Sequence, residues 1–247
     1  MIKIAFIDTE VDARTGKILD VGSMTNTGES FHSTSMARFL HHIKDAEYLC
    51  GHNIIHHDIP FLKKNTAATL PQVGLIDTLF LSPLLFPAKP YHALLKDDKL
   101  QTEELNNPLN DAIKAKDLFY DEVTAFRERE LELRQIYFSL LGDKPEFTSF
   151  FRLLNFKEHG NGVLENIRKK FFGQICEHVD LQKLIAESPI ELAYCLALIN
   201  TNSRYSLTPP WVAKSYPDVE RMMFLLRNKP CLEGCAYCNQ FWMRLVA

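Results

Sequence analysis

Strand-like and helix-like stretches alternate in the first half of this chain and nowhere else. Runs near residues 2–8, 18–24, 28–34, 47–51 and 73–77 have strand character, and helical periodicity falls at 35–44 and 58–65 between them. Parallel strands need long crossover connections, usually helices, so this order predicts an α/β layer. From about residue 128 the strand character fades and capped helices follow one another. Ser188-Pro189-Ile190-Glu191 reads as a capping box with proline at the first helical position, ahead of Leu192, Ala193, Cys195, Leu196 and Ile199. Thr208-Pro209 and Tyr216-Pro217 open further helices, whereas Pro83, Pro87 and Pro90 are expected to break regular structure between 78 and 104. Two domains are expected: an α/β domain over 1–128, and a mostly helical domain over 129–247 that ends in a cysteine cluster.

The first strand ends in acid, where Ile4-Ala5-Phe6-Ile7 runs into Asp8-Thr9-Glu10. Side chains two apart on a strand share a face, so Asp8 and Glu10 stand side by side. Two carboxylates so placed repel each other unless a cation neutralises them, and hard oxygen donors suit Mg²⁺ or Mn²⁺. A third acid, Asp58, closes Gly51-His52-Asn53-Ile54-Ile55-His56-His57-Asp58, after a strand and a glycine turn. A fourth, Asp111, falls just inside a helix opened by Pro108, with Leu109, Ala112, Ala115 and Phe119 at helical spacing. Taken singly, these acids have ordinary explanations as a solvated strand end, a helix cap and a complement to a helix dipole. None of those accounts explains three acid-bearing segments in this order with apolar strands between them.

In their order and spacing the segments resemble the three exonuclease motifs of the DEDD superfamily, exonucleases of DnaQ type, over residues 1 to about 128. Ile18-Leu19-Asp20-Val21-Gly22-Ser23-Met24, a turn at Gly28, and Ile76-Asp77-Thr78 fit the same pattern. Tyr91-His92-Ala93-Leu94-Leu95 and Asn107-Pro108-Leu109-Asn110-Asp111 look most like exonuclease-type domains found ahead of RecQ-family DNA helicases. The resemblance implies a ribonuclease H-like fold, a mixed sheet flanked by helices. It also implies a 3′–5′ exonuclease acting on DNA ends, in which Asp8, Glu10, Asp58 and Asp111 hold two Mg²⁺ or Mn²⁺ ions. Thr9, Asn53 and His57 are expected to shape the pocket for a single-stranded 3′ end. The implied partner is a helicase domain farther along a longer chain, in keeping with the apolar segment Phe241-Trp242-Met243-Arg244-Leu245-Val246-Ala247.

The chain departs from that pattern at the general base. The superfamily carries a His five residues before the last Asp or a Tyr four before it, and those positions are Asn106 and Asn107. Asparagine cannot take a proton from water. His92 is the expected substitute, with His56 and His57 as further candidates, or else a metal-bound hydroxide acts with little help. If nothing replaces the base, the chain is a non-catalytic nucleic-acid-binding or regulatory module of a helicase assembly.

Cys231-Leu232-Glu233-Gly234-Cys235-Ala236-Tyr237-Cys238 has C-x3-C-x2-C spacing, a partial shell for Zn²⁺ or an iron-sulfur cluster. A structural Zn²⁺ is expected, and Cys176, His178 and Cys195 are the candidate fourth ligands. Six cysteines so distributed suit reduced thiols better than a disulfide framework. A net charge of −3 gives no overall basic footprint, so phosphate contacts would fall to local residues: Lys114, Lys116, Arg127, Arg129, Arg134, Arg168, Lys169 and Lys170. No apolar stretch is long enough to cross a bilayer, and Met1-Ile2-Lys3-Ile4 begins a strand rather than a signal peptide. A cytoplasmic protein without a membrane partner is therefore expected.

Overall fold

Five short segments, of which β4 and the start of β1 are buried on both faces, build one sheet: β1 (Ile4–Val11), β2 (Ile18–Thr25), β3 (Ser30–Ser33), β4 (Tyr48–Gly51) and β5 (Gly74–Asp77). The structure, a computed structural model, describes residues 2–66, 73–94, 107–157, 162–201, 208–229 and 231–240. The strand order is β3-β2-β1-β4-β5. β1 runs antiparallel to β2, and β2 to β3, while β1 with β4 and β4 with β5 are parallel, so the sheet is mixed. Helices α1 (Met36–Ile43) and α2 (Asp58–Asn65) are the crossovers that the parallel pairs require. The later helices are α3 (Thr78–Leu85), α4 (Pro108–Glu128), α5 (Leu131–Leu141), α6 (Pro145–Leu153), α7 (Val163–Lys170), α8 (Leu181–Glu187), α9 (Pro189–Asn200), α10 (Pro210–Ser215) and α11 (Asp218–Met223).

Two compact units interleave along the chain. The first comprises Met1–Leu81, Ala93–Thr124 and Pro145–Leu153, and the second Ser82–His92, Ala125–Lys144 and Leu154–Ala247.

In the first unit, β1 sends its side chains alternately to the two faces of the sheet. Ala5 and Ile7 are buried with Phe39 and Ile43 of α1 and with Ile59 and Leu62 of α2. Phe6 turns the other way, where its ring centroid lies 5.6 Å from that of Phe119 and 6.0 Å from that of Tyr120, both on α4. Asp8 and Glu10 continue the Phe6 side of the strand and so share the α4 face. A slip of one residue would exchange the faces, and since each buried large apolar side chain is worth about 1.5–3 kcal/mol, the register is strongly held.

Gly22 lets α4 come down onto the sheet. A Cβ there would stand 2.1 Å from the Leu109 amide nitrogen and 2.2 Å from the Pro108 carbonyl carbon. Gly22 pairs with Asp8 across β1 and β2, so the start of α4 is laid beside the acids. Helix α6 packs on β5, where Phe147 meets Phe80 edge-on at 6.1 Å and bare Gly74 lies close to Ser149.

The second unit is helical among its described residues. Every residue from Leu192 to Ile199 of α9 is buried, and a helix apolar all round belongs at the centre of a core. α5, α8 and α11 pack against it, and α5 also packs on α7.

Two local expectations need correction. Ser188 precedes α9 but its side chain makes no capping bond. Its own amide closes α8 onto the Leu184 carbonyl, so the junction of two helices sets its backbone. Pro83 lies inside α3 rather than breaking regular structure, among buried Leu79, Leu81, Leu84 and Leu85, and burial of those side chains outweighs the missing amide. No helix among the described residues is long and apolar enough to cross a membrane.

Candidate metal centres

Asp8 and Glu10 of β1 and Asp111 of α4 each present a carboxylate oxygen within 4.8 Å of the other two. The strand supplies two acids by its period, and the helix start supplies the third because Gly22 admits it. All three are partly exposed. The pairing of β1 with β2 shifts register between Glu10 and Val11, so the ladder is interrupted immediately beyond the acids. Lys114, one turn further along α4, holds its Nζ 4.0 Å from Asp111 Oδ1.

Asp58 is not in that group. It begins α2 at 1 % exposure, and its Oδ1 accepts the Thr9 hydroxyl at 2.8 Å. Its Oδ2 is buried and has no hydrogen-bond partner among the described residues. Leaving such an oxygen unmet costs about 1–3 kcal/mol or more, so the atom suits a cation or an incoming donor. Thr9 alternates with Asp8 and Glu10 and so serves the α2 side of the strand; it is itself buried. His57 lies with Nδ1 3.8 Å from Asp58 Oδ1, and the pull of that carboxylate raises the imidazole pKa against the opposing effect of burial.

Asp77, at the end of β5, has a role that its place in Ile76-Asp77-Thr78 does not disclose. It is fully buried and accepts three backbone amides, from Asn53 at 2.8 Å, Ile55 at 3.0 Å and Leu79 at 3.0 Å. Two of these fasten the loop that leads to Asp58. Asn53 takes a φ of 66°, a left-handed conformation that asparagine tolerates, so it is placed as the turn of that loop. Burial pushes the Asp77 carboxyl up to about 6, with the three amides pulling the other way. The one signal in the sequence is an acid at the C-terminal end of an apolar strand.

Asn107 caps α4. Its Oδ1 accepts the Leu109 amide at 3.0 Å, which accounts structurally for an asparagine where the superfamily pattern has a base. Asn106 lies outside the described residues, as do 95–100 and the apolar segment 241–247. His92 falls in the second unit. It is buried, with Nδ1 2.8 Å from Ser82 Oγ, and burial lowers its pKa to about 4. His56 stacks obliquely on Phe80 at 5.4 Å.

Several basic residues proposed for phosphate contacts are engaged within the second unit. Arg129 donates to the Leu85 carbonyl at 2.6 Å, and Arg134 lies over the rings of Phe126 and Phe156. Lys169 pairs with Glu132 at 2.8 Å, and Lys170 with Glu130.

The second centre gathers Cys176, Cys231, Cys235 and Cys238, with all four sulfurs within 4.8 Å of one another. Of the candidate fourth ligands, Cys195 points its thiol at the Val219 carbonyl in the core at 3.5 Å, while His178 pairs with Glu233 at 2.7 Å and touches the Cys231 thiol from outside the group of four sulfurs. Cys176 is the one that joins the cluster. The chain matches no family model, no curated protein and no solved structure.

Proposed function

We propose that the chain is a metal-dependent 3′–5′ exonuclease that trims DNA ends. One observation carries this reading: Asp8, Glu10 and Asp111, from segments a hundred residues apart, meet within 4.8 Å. A mixed sheet with its acid-tipped strand between neighbours is also the arrangement implied by the resemblance to ribonuclease H-like exonucleases. The donors are hard oxygens, and the set fits Mg²⁺ or Mn²⁺. Asp8, Glu10 and Asp111 are the residues to hold such ions, with Asp58 Oδ2 as the next acceptor. When bound, divalent ions supply an activated water and neutralise charge on the leaving oxygen.

The remaining tasks fall to the chain itself. Glu10 orients the attacking water. Asp77 and Thr9 are positioning residues, one holding the loop before Asp58 and the other its carboxylate. Lys114 offers a cation beside the cluster for a substrate phosphate. DNA as substrate, and a helicase as partner, rest on the likeness to helicase-associated exonuclease domains.

A second reading, a non-catalytic nucleic-acid-binding or regulatory module of a helicase assembly, is favoured by the commitment of Asn107 to capping α4. Incubation with end-labelled single-stranded DNA and Mn²⁺ separates the two. Stepwise shortening from the 3′ end, lost in Asp8→Ala, is the expected result. No shortening with any divalent ion at high protein concentration overturns the enzyme reading, and DNA binding that persists then selects the second.

A further inference from the structure

We infer that Cys176, Cys231, Cys235 and Cys238 form a closed four-thiolate site for one zinc ion, which fastens residues 231–240 to the turn that follows α7. The C-x3-C-x2-C segment supplies three sulfurs from one short stretch, and Cys176 brings the fourth from far upstream. A tetrahedral ion with Zn–S bonds of about 2.3 Å spaces its sulfurs about 3.8 Å apart. A mutual reach of 4.8 Å closes to that spacing by small side-chain rotations. A four-iron cluster inserts an iron atom between each thiolate and the centre, so its sulfurs stand wider apart. The spacing therefore favours one ion.

The backbone is arranged around the sulfurs as thiolates require. The amides of Glu177 and Cys238 point at Cys235 Sγ at 3.5 and 3.4 Å, and the amide of Cys231 points at Cys238 Sγ at 3.4 Å. Such contacts spread the negative charge of metal-bound sulfur and orient it. Gly234, at φ 70°, turns the chain tightly between Cys231 and Cys235. The segment is locked from both sides, because Glu177 Oε1 accepts the Ala236 amide at 2.9 Å and the Tyr237 hydroxyl donates to the Arg227 carbonyl at 2.7 Å.

Packing points the same way. A single buried cysteine is usually a small hydrophobe. Here the buried members of the cluster are Cys176, Cys235 and Cys238, with Cys231 and Tyr237 packed against them among the described residues. Among the described residues that cluster contains no aliphatic side chain, and metal–sulfur bonds would supply the cohesion that apolar packing supplies elsewhere. Four protein ligands leave no open position, which makes the site structural rather than catalytic.

Protein purified without chelator is expected to carry one zinc per chain. Zinc-edge X-ray absorption on the wild-type chain is expected to report four sulfurs at about 2.3 Å. Three sulfurs and one nitrogen would remove Cys176 from the shell. Iron with acid-labile sulfide, or no bound metal after reduction and zinc supplementation, overturns the proposal. Cys176→Ser should lose zinc to a chelator that the wild type resists, and His178→Ala should keep it. Chelator should lower the Tm of the wild type and leave that of Cys176→Ser unchanged; a wild-type Tm indifferent to metal removal overturns the structural role. If Cys176→Ser does not fold, the wild-type sulfur count decides. None of these readouts involves the acids of β1, so they stand or fall apart from the exonuclease reading.

Discussion

The Thr9 hydroxyl donates to Asp58 Oδ1 at 2.8 Å in the protein interior and joins the acid-bearing strand to the first residue of α2. Asp8 and Glu10 leave β1 on one face and Thr9 on the other, so Asp58 is tied to the strand through a hydroxyl rather than through the carboxylate cluster. Thr9→Val keeps the shape and removes the close donor, leaving Asp58 Oδ1 to the His57 imidazole at 3.8 Å while Oδ2 stays unmet among the described residues. The expected loss of stability is about 1–3 kcal/mol, read from urea denaturation. Thr9→Ser should recover most of it, and equal midpoints for wild type and Thr9→Val would show that the bond does not hold Asp58.

Gly22 is the position where a missing side chain matters most to the acids. A methyl group there meets backbone at 2.1 and 2.2 Å, and backbone cannot rotate aside as a flexible side chain can. Gly22→Ala should therefore push the start of α4 off β2 and carry Asp111 away from Asp8 and Glu10. Overpacking of this kind costs about 1–3 kcal/mol, here toward the upper end. The diagnostic measurement is the rise in Tm on adding Mn²⁺, which should be present in the wild type and absent in Gly22→Ala. A rise of equal size in both would mean that Asp111 had not moved.

Asp77 gives the protein a pH dependence of definite sign. Burial raises its carboxyl from 3.8 to about 6 in the folded chain. Between those values the folded state holds a proton that the unfolded state has released, so the contribution of Asp77 to stability declines as pH rises through that window. Asp77→Asn cannot ionise and lacks the decline. It also sets an amide group against backbone N–H donors, a loss of about 1–3 kcal/mol. The variant should be clearly less stable than the wild type at pH 4, with the gap narrowing toward pH 6.5. Parallel Tm profiles over that range would remove Asp77 as the source.

The strands, α1, α2 and the long α4 are legible because period, glycine turns and helix-opening prolines are local signals. The shared face of Asp8 and Glu10 follows from the same local rule. The meeting with Asp111 follows from no local rule: the order and spacing of the acid-bearing segments anticipate it, and bare Gly22 is what lets α4 lie across β2 to make it. Asp77 looks like any strand-end acid, yet it accepts amides 22 and 24 residues upstream. Cys176 is one of three candidate fourth ligands in the sequence, and the fold singles it out by bringing its sulfur to Cys231, Cys235 and Cys238. Helix α6 has the same local pattern as the helices around it, and its packing on β5 through Phe147 and Gly74 is a tertiary outcome. Ser188 shows the reverse case, a local capping signal that the α8–α9 junction overrides.

Three carboxylates within 4.8 Å repel one another when no cation is present, by about 1 kcal/mol per pair in well-solvated surroundings. Asp111→Asn removes two of the three repulsive pairs. It also weakens the contact with Lys114 at 4.0 Å, a partly exposed ion pair of the kind worth about 0–1 kcal/mol. In EDTA the variant should therefore be at least as stable as the wild type. Adding Mn²⁺ should reverse the order, because the wild type offers a hard cation three oxygens in mutual reach and the variant offers two carboxylates. A solvated acidic patch with no binding role would keep the same order under both conditions, since Mn²⁺ would then only screen charge. Thermal melting across a Mn²⁺ titration reads this directly, and an order that never reverses would leave the three acids as a surface feature without a metal.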